Sequence, residues 1–441
     1  MPQLPDYLEH CREPRLIPVG SASNTENQVL SAFLSTLPVV QGWFNAAFAG
    51  GPPIKLGKQA KIKCFTEVVF KDKEYRDCRP DGLILITTGK TQWSALIEAK
   101  VKNNKLDPSQ VEKYCRVAKQ HKIDAVITLS NELTSKPDHH FLGLPKHVTR
   151  AVALYHFSWA SILTTGQVLL GRQSVEDIEQ IFILEELVKY FQHESAGISR
   201  FSQMSTSWTP IVKQATLGQA ITKNTEDVDD LVNDWLQQSK DLVLTLSNLI
   251  HERAELRLSK SAKDDVSAHQ REIAQRLFKN ASFAASLDVP NCASSIDVDA
   301  FLKTRQIQVS MRLQAPKDKK STSARINWLL RMLKETEMNG YFVTATWPSV
   351  IKDTTASVAD LRNDQNCIQC DNPKMAPVNL IVKFVVDDAK AFIGRKTFIQ
   401  TLSGSLEKFY TDVGQHLKAW QPAPPKAKKV EAEIEDGIVE E

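Results

Sequence analysis

Residues 79–100, RPDGLILITTGKTQWSALIEAK, contain two apolar runs separated by a Gly-Lys pair. Such runs around a turn predict two antiparallel strands joined as a hairpin. Asp81 opens the first strand, and Glu98 and Lys100 close the second. Because side chains two positions apart on a strand share a face, Glu98 and Lys100 project together, and the hairpin brings Asp81 beside them. The sequence therefore predicts two carboxylates and one ammonium at a single point.

This set of side chains suits hydrolysis of a phosphodiester bond with Mg²⁺. Mg²⁺ takes hard oxygen ligands and commonly binds one or two carboxylates, so Asp81 and Glu98 are the candidate metal ligands. Lys100 is the candidate that orients or helps to deprotonate the attacking water and stabilises the transition state. The alternative is an exposed edge-strand pair of Glu98 and Lys100. The apolar Leu96 and Ile97 argue against it, since they predict a buried strand in which an unpaired glutamate would be costly.

The neighbouring sequence predicts a mixed α/β domain around this hairpin. Apolar spacing and capping residues predict helices at 23–37 and 106–122, and apolar runs predict strands at 61–70, 124–131 and 150–159. The order is therefore helix, three strands, helix, two strands. We expect this first domain to span residues 1–165.

The hairpin resembles the PD-(D/E)XK nuclease superfamily. Pro80-Asp81 is followed by Glu98-Ala99-Lys100 in a strand-turn-strand setting. The resemblance covers about residues 24–160 and implies a restriction-endonuclease-like α-β-β-β-α-β core with a mixed sheet flanked by helices. It also implies a deoxyribonuclease that uses Mg²⁺, with Mn²⁺ as a substitute. DNA as the substrate, and a role in prokaryotic restriction, repair or antiviral defence, follow only from the resemblance.

The resemblance extends to two flanking helices. Gln110 and Tyr114 look like the QxxxY element of the RecB-type branch, and their i, i+4 spacing places both on one helix face. They are therefore further candidate catalytic residues, with a surface role as the alternative. Glu26 stands where many such enzymes keep an extra acidic residue, which makes it a candidate metal ligand. The alternative is a first-turn glutamate that only stabilises its helix.

The rest of the chain is predicted to form three further regions. Helical periodicity predicts a linker or bundle at 166–284, and alternating strands with helices predict an α+β domain at 285–420. A Pro-rich and then charged segment predicts a disordered tail at 421–441. The role of 166–420 stays open between recognition of a substrate or effector, a protein partner and a second copy of the chain.

Two predicted loops contain clusters of charged or histidine residues. Lys317, Lys319 and Lys320 precede a predicted helix and are candidate substrate-binding residues, although a solvated loop is the favoured alternative. Asp138-His139-His140 lies beside a proline and is expected to be solvated.

Composition limits the class of protein. The chain has 441 residues, 42% of them hydrophobic, a net charge of +3 and seven cysteines. No window holds the ~20 continuous apolar residues of a membrane span, and no secretory signal is predicted. A reducing, cytoplasmic location is the simpler expectation. Residues 1–150 carry 21 Lys or Arg against 15 Asp or Glu, a weak basic bias that would favour binding of a polyanion.

The alternative to a nuclease is a catalytically silent nucleic-acid-binding or assembly module. In that case the C-terminal domain would carry the function.

Overall fold

Six strands from the first 160 residues form one mixed sheet in the computed structural model of the chain. The structure describes residues 5–17, 24–57, 59–89, 91–333, 338–348 and 350–422. The strands, in the same order along the chain and across the sheet, are β1 (Leu8–Arg12), β2 (Lys61–Phe70), β3 (Gly82–Thr88), β4 (Thr91–Ala99), β5 (Ala125–Ser130) and β6 (Ala153–Ser158). β1 to β4 are antiparallel neighbours, whereas β4, β5 and β6 run parallel.

Helices connect and cover these strands. They are α1 (Thr25–Thr36), α2 (Trp43–Ala47), α3 (Pro108–Gln120), α4 (Lys146–Thr149) and α5 (Trp159–Gly171). The predicted order of helix, three strands, helix and two strands is confirmed, with α2 and α4 as short additions. β1 was not predicted, because it lies in an unpatterned Pro-rich segment and forms the edge of the sheet.

Both faces of the sheet are covered, which explains the continuous apolar runs in the central strands. On one face Leu96 of β4 packs with residues of α3. On the other face Ile97 and Ala99 of the same strand pack with α1, α2 and α5. Glu98 alternates with Ile97 and therefore shares the α3 face with Leu96. The fold thus places a carboxylate at the end of a buried strand.

The region after the first sheet is helical, as predicted for 166–284. Its elements are α6 (Ile178–Gln192), α7 (Trp208–Thr216), α8 (Val228–Ile250), the two-residue strand β7 (Glu255–Leu256), α9 (Lys260–Asp264) and α10 (Val266–Asn280). Trp208 and Trp235 are fully buried and each lies against Phe283. These helices share their core with the segment that follows, so they are not an independent linker.

The C-terminal third mixes strands and helices, as predicted. Its elements are β8 (Ser282–Asp288), β9 (Ile296–Phe301), β10 (Gln306–Gln314), α11 (Thr322–Leu330), β11 (Tyr341–Thr346), β12 (Thr354–Ser357), α12 (Val358–Asn363), β13 (Asn379–Val386), α13 (Ala389–Ile393) and α14 (Arg395–Phe409), with a π-helical turn at Tyr410–Gly414. β7 to β10 follow one another as antiparallel neighbours, and β11 pairs antiparallel with β12.

The chain divides into two compact units whose limits differ from the predicted domains. The described residues of one unit lie within 5–311 and 383–415, and those of the other lie within 312–382 and 416–422. The predicted limits at 165 and 284 fall inside the first unit. The predicted disordered tail lies, from residue 423 onwards, outside the described residues. Within the described part of the chain, every helix is too short or too polar to cross a membrane.

Candidate active site

The β3–β4 hairpin places Asp81 opposite Glu98. The two strands pair antiparallel with Gly82 opposite Ile97, so the next position outward sets Asp81 against Glu98. The Asp81 Oδ2 atom accepts a hydrogen bond from the Ala99 backbone N–H at 2.9 Å. Gly89 turns the chain with a φ of 60°, a left-handed conformation that glycine adopts without a Cβ clash. The sequence prediction that Asp81 and Glu98 come together is therefore confirmed by the strand register.

Glu98 is a buried carboxylate with one oxygen unsatisfied. Its side chain is 1% exposed, and its Oε1 atom accepts a hydrogen bond from Lys100 Nζ at 2.5 Å. The Oε2 atom of Glu98 is buried without a hydrogen-bond partner. A buried polar atom of this kind costs free energy, and more so in a charged group. The edge-strand alternative is thus wrong, and the unsatisfied oxygen is a ready ligand atom.

Lys100 provides the positive charge of the site. Its Nζ atom contacts Glu98 and lies 3.6 Å from Glu26 Oε2. Burial of the ammonium acts to lower the pKa of Lys100. The hydrogen bond that Lys100 donates to Glu98 and the charges of Glu98, Asp81 and Glu26 outweigh burial and raise that pKa. Lys100 is therefore a cationic donor in this arrangement.

The surroundings of Asp81 favour the neutral, protonated form of its carboxyl group. Burial raises the pKa of Asp81, and the charges of Glu98 and Glu26 raise it further. The hydrogen bond from Ala99 and the charge of Lys100 oppose this shift without cancelling it. Two desolvated acids therefore share one ammonium, and a second cation beside them would relieve their repulsion.

Glu26 lies in the first turn of α1, beside Lys100. Its Oε1 atom accepts a hydrogen bond from Asn104 Nδ2 at 2.5 Å, and its Oε2 atom faces Lys100. Across the described ranges, no three His, Cys, Asp or Glu side chains form a group able to hold a metal ion. Glu26 therefore acts here on Lys100 and does not complete a three-carboxylate cluster with Asp81 and Glu98.

Gln110 and Tyr114 reach the same site from α3. Asp107 caps this helix by accepting a hydrogen bond from Ser109 N, and Pro108 begins it. The Gln110 Nε2 atom donates to Tyr114 Oη at 2.8 Å, and that hydroxyl donates to the Arg79 carbonyl at 3.1 Å. Burial raises the pKa of Tyr114, and so do the charges of Glu98 and Asp81 and the approach of the Tyr114 hydroxyl to the Glu98 carboxylate. The pair therefore holds the backbone that leads into Asp81.

Replacing Tyr114 by phenylalanine should lower the free energy of unfolding by about 1–2 kcal/mol, because the buried hydroxyl makes two hydrogen bonds. Urea unfolding of wild type and Tyr114→Phe measures the difference. Tyr75→Phe is the matched control, since the Tyr75 hydroxyl bonds Gln120 near the surface and its loss should cost less. Equal effects of the two substitutions would contradict a positioning role for Tyr114.

Two further residues, Thr128 and His156, lie on the same face of the sheet as Glu98, and the sequence did not indicate them. In the parallel part of the sheet Glu98 pairs with Thr128 of β5, and Thr128 pairs with His156 of β6. Residues in register on adjacent strands point to the same face, so the row continues outward from Glu98. In the sequence, Thr128 and His156 are polar residues near the ends of two apolar strands, which is the only sign of their role. The sequence does not specify that these strands are neighbours of β4.

The expectation that Asp138-His139-His140 is solvated is wrong for both histidines. His139 is 4% exposed, and its Nε2 atom donates to the Lys263 carbonyl at 3.1 Å. His140 is largely buried and lies 2.8 Å from the Thr128 hydroxyl. Asp138 is half-exposed and forms an ion pair with Lys136. The loop packs against the rest of the first unit because His139 donates a hydrogen bond to the Lys263 carbonyl and His140 donates one to Thr128.

The three lysines of the basic loop lie in the second unit. Lys317 and Lys320 are exposed, and Lys319 is half-buried. Ser321 caps α11 by accepting a hydrogen bond from Ala324 N at 3.2 Å, and Arg325 Nε donates to the Lys319 carbonyl at 2.8 Å. The loop is therefore anchored to its helix, while substrate binding by these lysines stays a prediction.

Comparisons with other proteins give no guide to the chemistry of this site. No known family model, curated protein or solved structure matches the chain. Membership of the nuclease superfamily therefore stays a prediction that rests on the motifs and on their spacing.

Proposed function

We propose that this chain is a metal-dependent nuclease of the PD-(D/E)XK type, with DNA as its substrate. The observation that carries the proposal is the unsatisfied Oε2 atom of buried Glu98, which lies opposite Asp81 and beside Lys100. A purely structural glutamate in this position would be expected to satisfy both oxygens. The cost of leaving one free supports a role in binding a ligand.

The donor set fits Mg²⁺. Asp81 and Glu98 would hold the ion, since two carboxylates with waters and phosphate oxygens are a common ligand set for it. The added positive charge would also relieve the repulsion that raises the pKa of Asp81. When bound, the ion supplies a water of lowered pKa and offsets negative charge on the phosphate.

Lys100 supplies a proton donor and a positive charge to the reacting phosphate. Its raised pKa keeps the ammonium charged, which favours stabilising the transition state over acting as the general base. Glu98 and Glu26 hold the Nζ atom from two sides and fix its position. Among the roles open from the sequence, orientation of water and charge stabilisation fit this geometry best.

The proposal is tested by cleavage of plasmid DNA and of single-stranded circular DNA with the purified protein. We expect cleavage with Mg²⁺ or Mn²⁺, no cleavage with EDTA, and loss of cleavage in Asp81→Ala and Lys100→Ala. If all three proteins behave alike, the proposal is wrong, and the catalytically silent binding or assembly module is favoured instead.

The raised pKa of Asp81 predicts how stability depends on pH without metal. Because the folded state holds this proton more tightly than the unfolded state, stability should fall as pH rises from about 4 through the pKa of folded Asp81. Asp81→Asn removes this contribution, so the variant should gain stability relative to wild type as pH rises. Urea unfolding at several pH values in EDTA measures the difference.

The titratable groups that face Asp81 are Glu98, Glu26, Lys100 and the Tyr114 hydroxyl, and all four remain in the Asp81→Asn variant. Asp138→Asn, at a half-exposed aspartate, is the control for effects unrelated to burial. A difference between Asp81→Asn and wild type that does not change with pH would contradict the electrostatic description of the site.

A further inference from the structure

A hydrogen-bonded group of Thr128, His140 and His156 continues the row that starts at Asp81 and Glu98. The Thr128 hydroxyl lies 2.8 Å from His140 Nε2 and 2.9 Å from His156 Nδ1. The His156 Nε2 atom lies 2.8 Å from the Glu132 carbonyl, which can only accept, so Nε2 is the protonated nitrogen. The group is therefore built into the sheet beside the carboxylates.

The remaining contacts fix the direction of every hydrogen bond in this group. The Leu142 N–H donates to His140 Nδ1, so the proton of His140 is on Nε2 and is donated to Thr128. Thr128 in turn donates to the free Nδ1 atom of His156 at 2.9 Å, and the same hydroxyl also lies 3.3 Å from the Tyr155 carbonyl, a second acceptor. Burial lowers the pKa of His140 to about 3 and that of His156 to about 4. Two neutral imidazole rings are thus held in fixed orientations.

These two rings support Phe141, a residue that is 42% exposed. Phe141 stacks on His140 with 5.2 Å between ring centroids, and meets His156 edge-on at 5.0 Å. The loop is tied down further, because the His156 N–H donates to the Pro137 carbonyl. Phe141 is therefore an exposed aromatic ring held in place before any ligand arrives, which lowers the entropic cost of binding.

The location of Phe141 relates it to the proposed active site. His156 lies near the carboxyl end of β6, on the sheet face that carries Glu98, and the Phe141 ring packs against it. Adjacent strands are ~4.8 Å apart, so His156, which the Phe141 ring contacts, lies on the order of 10 Å from Glu98. At ~3.4 Å per nucleotide, about three nucleotides of one strand would span this distance.

Exposed cations lie on the loops next to the carboxylates. Arg79 precedes Asp81, and Lys102 and Lys105 follow β4. Within the described residues, these three side chains are not in ion pairs with acids. Lys102 Nζ donates a hydrogen bond to Thr25 Oγ1 at 3.1 Å, so Arg79 and Lys105 are the cations best placed to attract a phosphate backbone. An aromatic platform beside unpaired cations is the combination that binds single-stranded nucleic acid.

We propose that Phe141, held by His140 and His156, stacks on an unpaired base about three nucleotides from the scissile phosphate, so that the substrate is single-stranded DNA. A base inside a duplex cannot offer its face to this ring, because its neighbours in the stack cover both faces. The inference rests on the proposed nuclease function, which it deepens by naming the strand state of the substrate.

The test measures binding of a labelled single-stranded oligodeoxynucleotide and of the blunt duplex of the same sequence, both in EDTA. Wild type should bind the single strand more tightly. Phe141→Ala should weaken single-strand binding about 5- to 100-fold, with a smaller effect on the duplex. Phe141→Trp should restore it. Phe182→Ala is the matched control, since Phe182 is 61% exposed on α6, a helix that packs on the opposite face of the sheet.

A series of oligonucleotides with one abasic position provides a second measurement. One abasic position should weaken wild-type binding as much as Phe141→Ala does, and should have no further effect in that variant. Equal affinity of wild type and Phe141→Ala for the single strand, or an equal loss in Phe182→Ala, would overturn the inference.

Cleavage separates this inference from the proposed function. Wild-type cleavage of duplex DNA that Phe141→Ala leaves unchanged would support a nuclease and overturn the stacking role. Single-strand binding that depends on Phe141, with no cleavage in any metal, would support the platform and contradict the proposed activity.

Discussion

Glu98→Gln should lower the rate of DNA cleavage at least about 1,000-fold at saturating Mg²⁺. The substitution keeps the size of the side chain but removes the charge of the ligand atom that lacks a hydrogen-bond partner. Loss of several kcal/mol of metal-assisted stabilisation of the transition state gives a factor of this size. Initial rates of cleavage at a series of Mg²⁺ concentrations measure it.

The control for Glu98→Gln is Glu186→Gln, at an exposed glutamate on α6 that pairs with Lys189. It should cleave like wild type. The unfolding temperature of Glu98→Gln in EDTA should stay near that of wild type or rise, because the change removes a buried charge next to Asp81. Cleavage by folded Glu98→Gln at the wild-type rate would contradict the assignment of Glu98 as a metal ligand.

Lys100→Met should lower cleavage about 100- to 10,000-fold and should also destabilise the protein. The ammonium is the cation that contacts Glu98, so its removal leaves a buried carboxylate without a counter-charge. Metal should compensate in part, since a divalent ion between Asp81 and Glu98 would replace the lost charge. The rise in unfolding temperature on adding Mg²⁺ should therefore be larger in Lys100→Met than in wild type.

Two measurements on Lys100→Met separate its effects on stability and on chemistry. Thermal unfolding with and without Mg²⁺ gives the first, and cleavage by the Mg²⁺-stabilised variant gives the second. Lys189→Met, on the surface of α6, is the control. If Lys100→Met is fully active once Mg²⁺ has restored its stability, Lys100 serves only as a counter-ion.

The hairpin and its carboxylates were predictable because the interactions that form them are local in sequence. The apolar runs on either side of Gly89 fix β3 and β4, and antiparallel pairing across a short turn leaves little freedom in the register. Asp81 and Glu98 follow from that register. β2, at Lys61–Phe70, was also predicted at its observed limits.

The rest of the site depends on contacts between residues far apart in the sequence. Thr128 and His156 join the row only because β5 and β6 lie next to β4 in a parallel sheet. Periodicity reports which residues of a strand share a face, but not which strand lies beside it. The burial of His140 was missed for the same reason, since its partner Thr128 lies on a strand and not in the loop.

The sequence does not predict the limits of the compact units, because these limits also depend on contacts between distant segments. Residues 383–415 return to the first unit after a long excursion of the chain. Phe392 and Phe398 pack there against Trp208 of α7. Periodicity and composition are local properties of a sequence, so they do not report which distant segments share one core.

The most direct measurement is the anomalous diffraction of a crystal of the protein soaked with Mn²⁺. The proposed function predicts a peak within about 2.0–2.3 Å of a carboxylate oxygen of both Asp81 and Glu98. A fully occupied Mn²⁺ site elsewhere in the chain, with these two carboxylates left without metal, would contradict it.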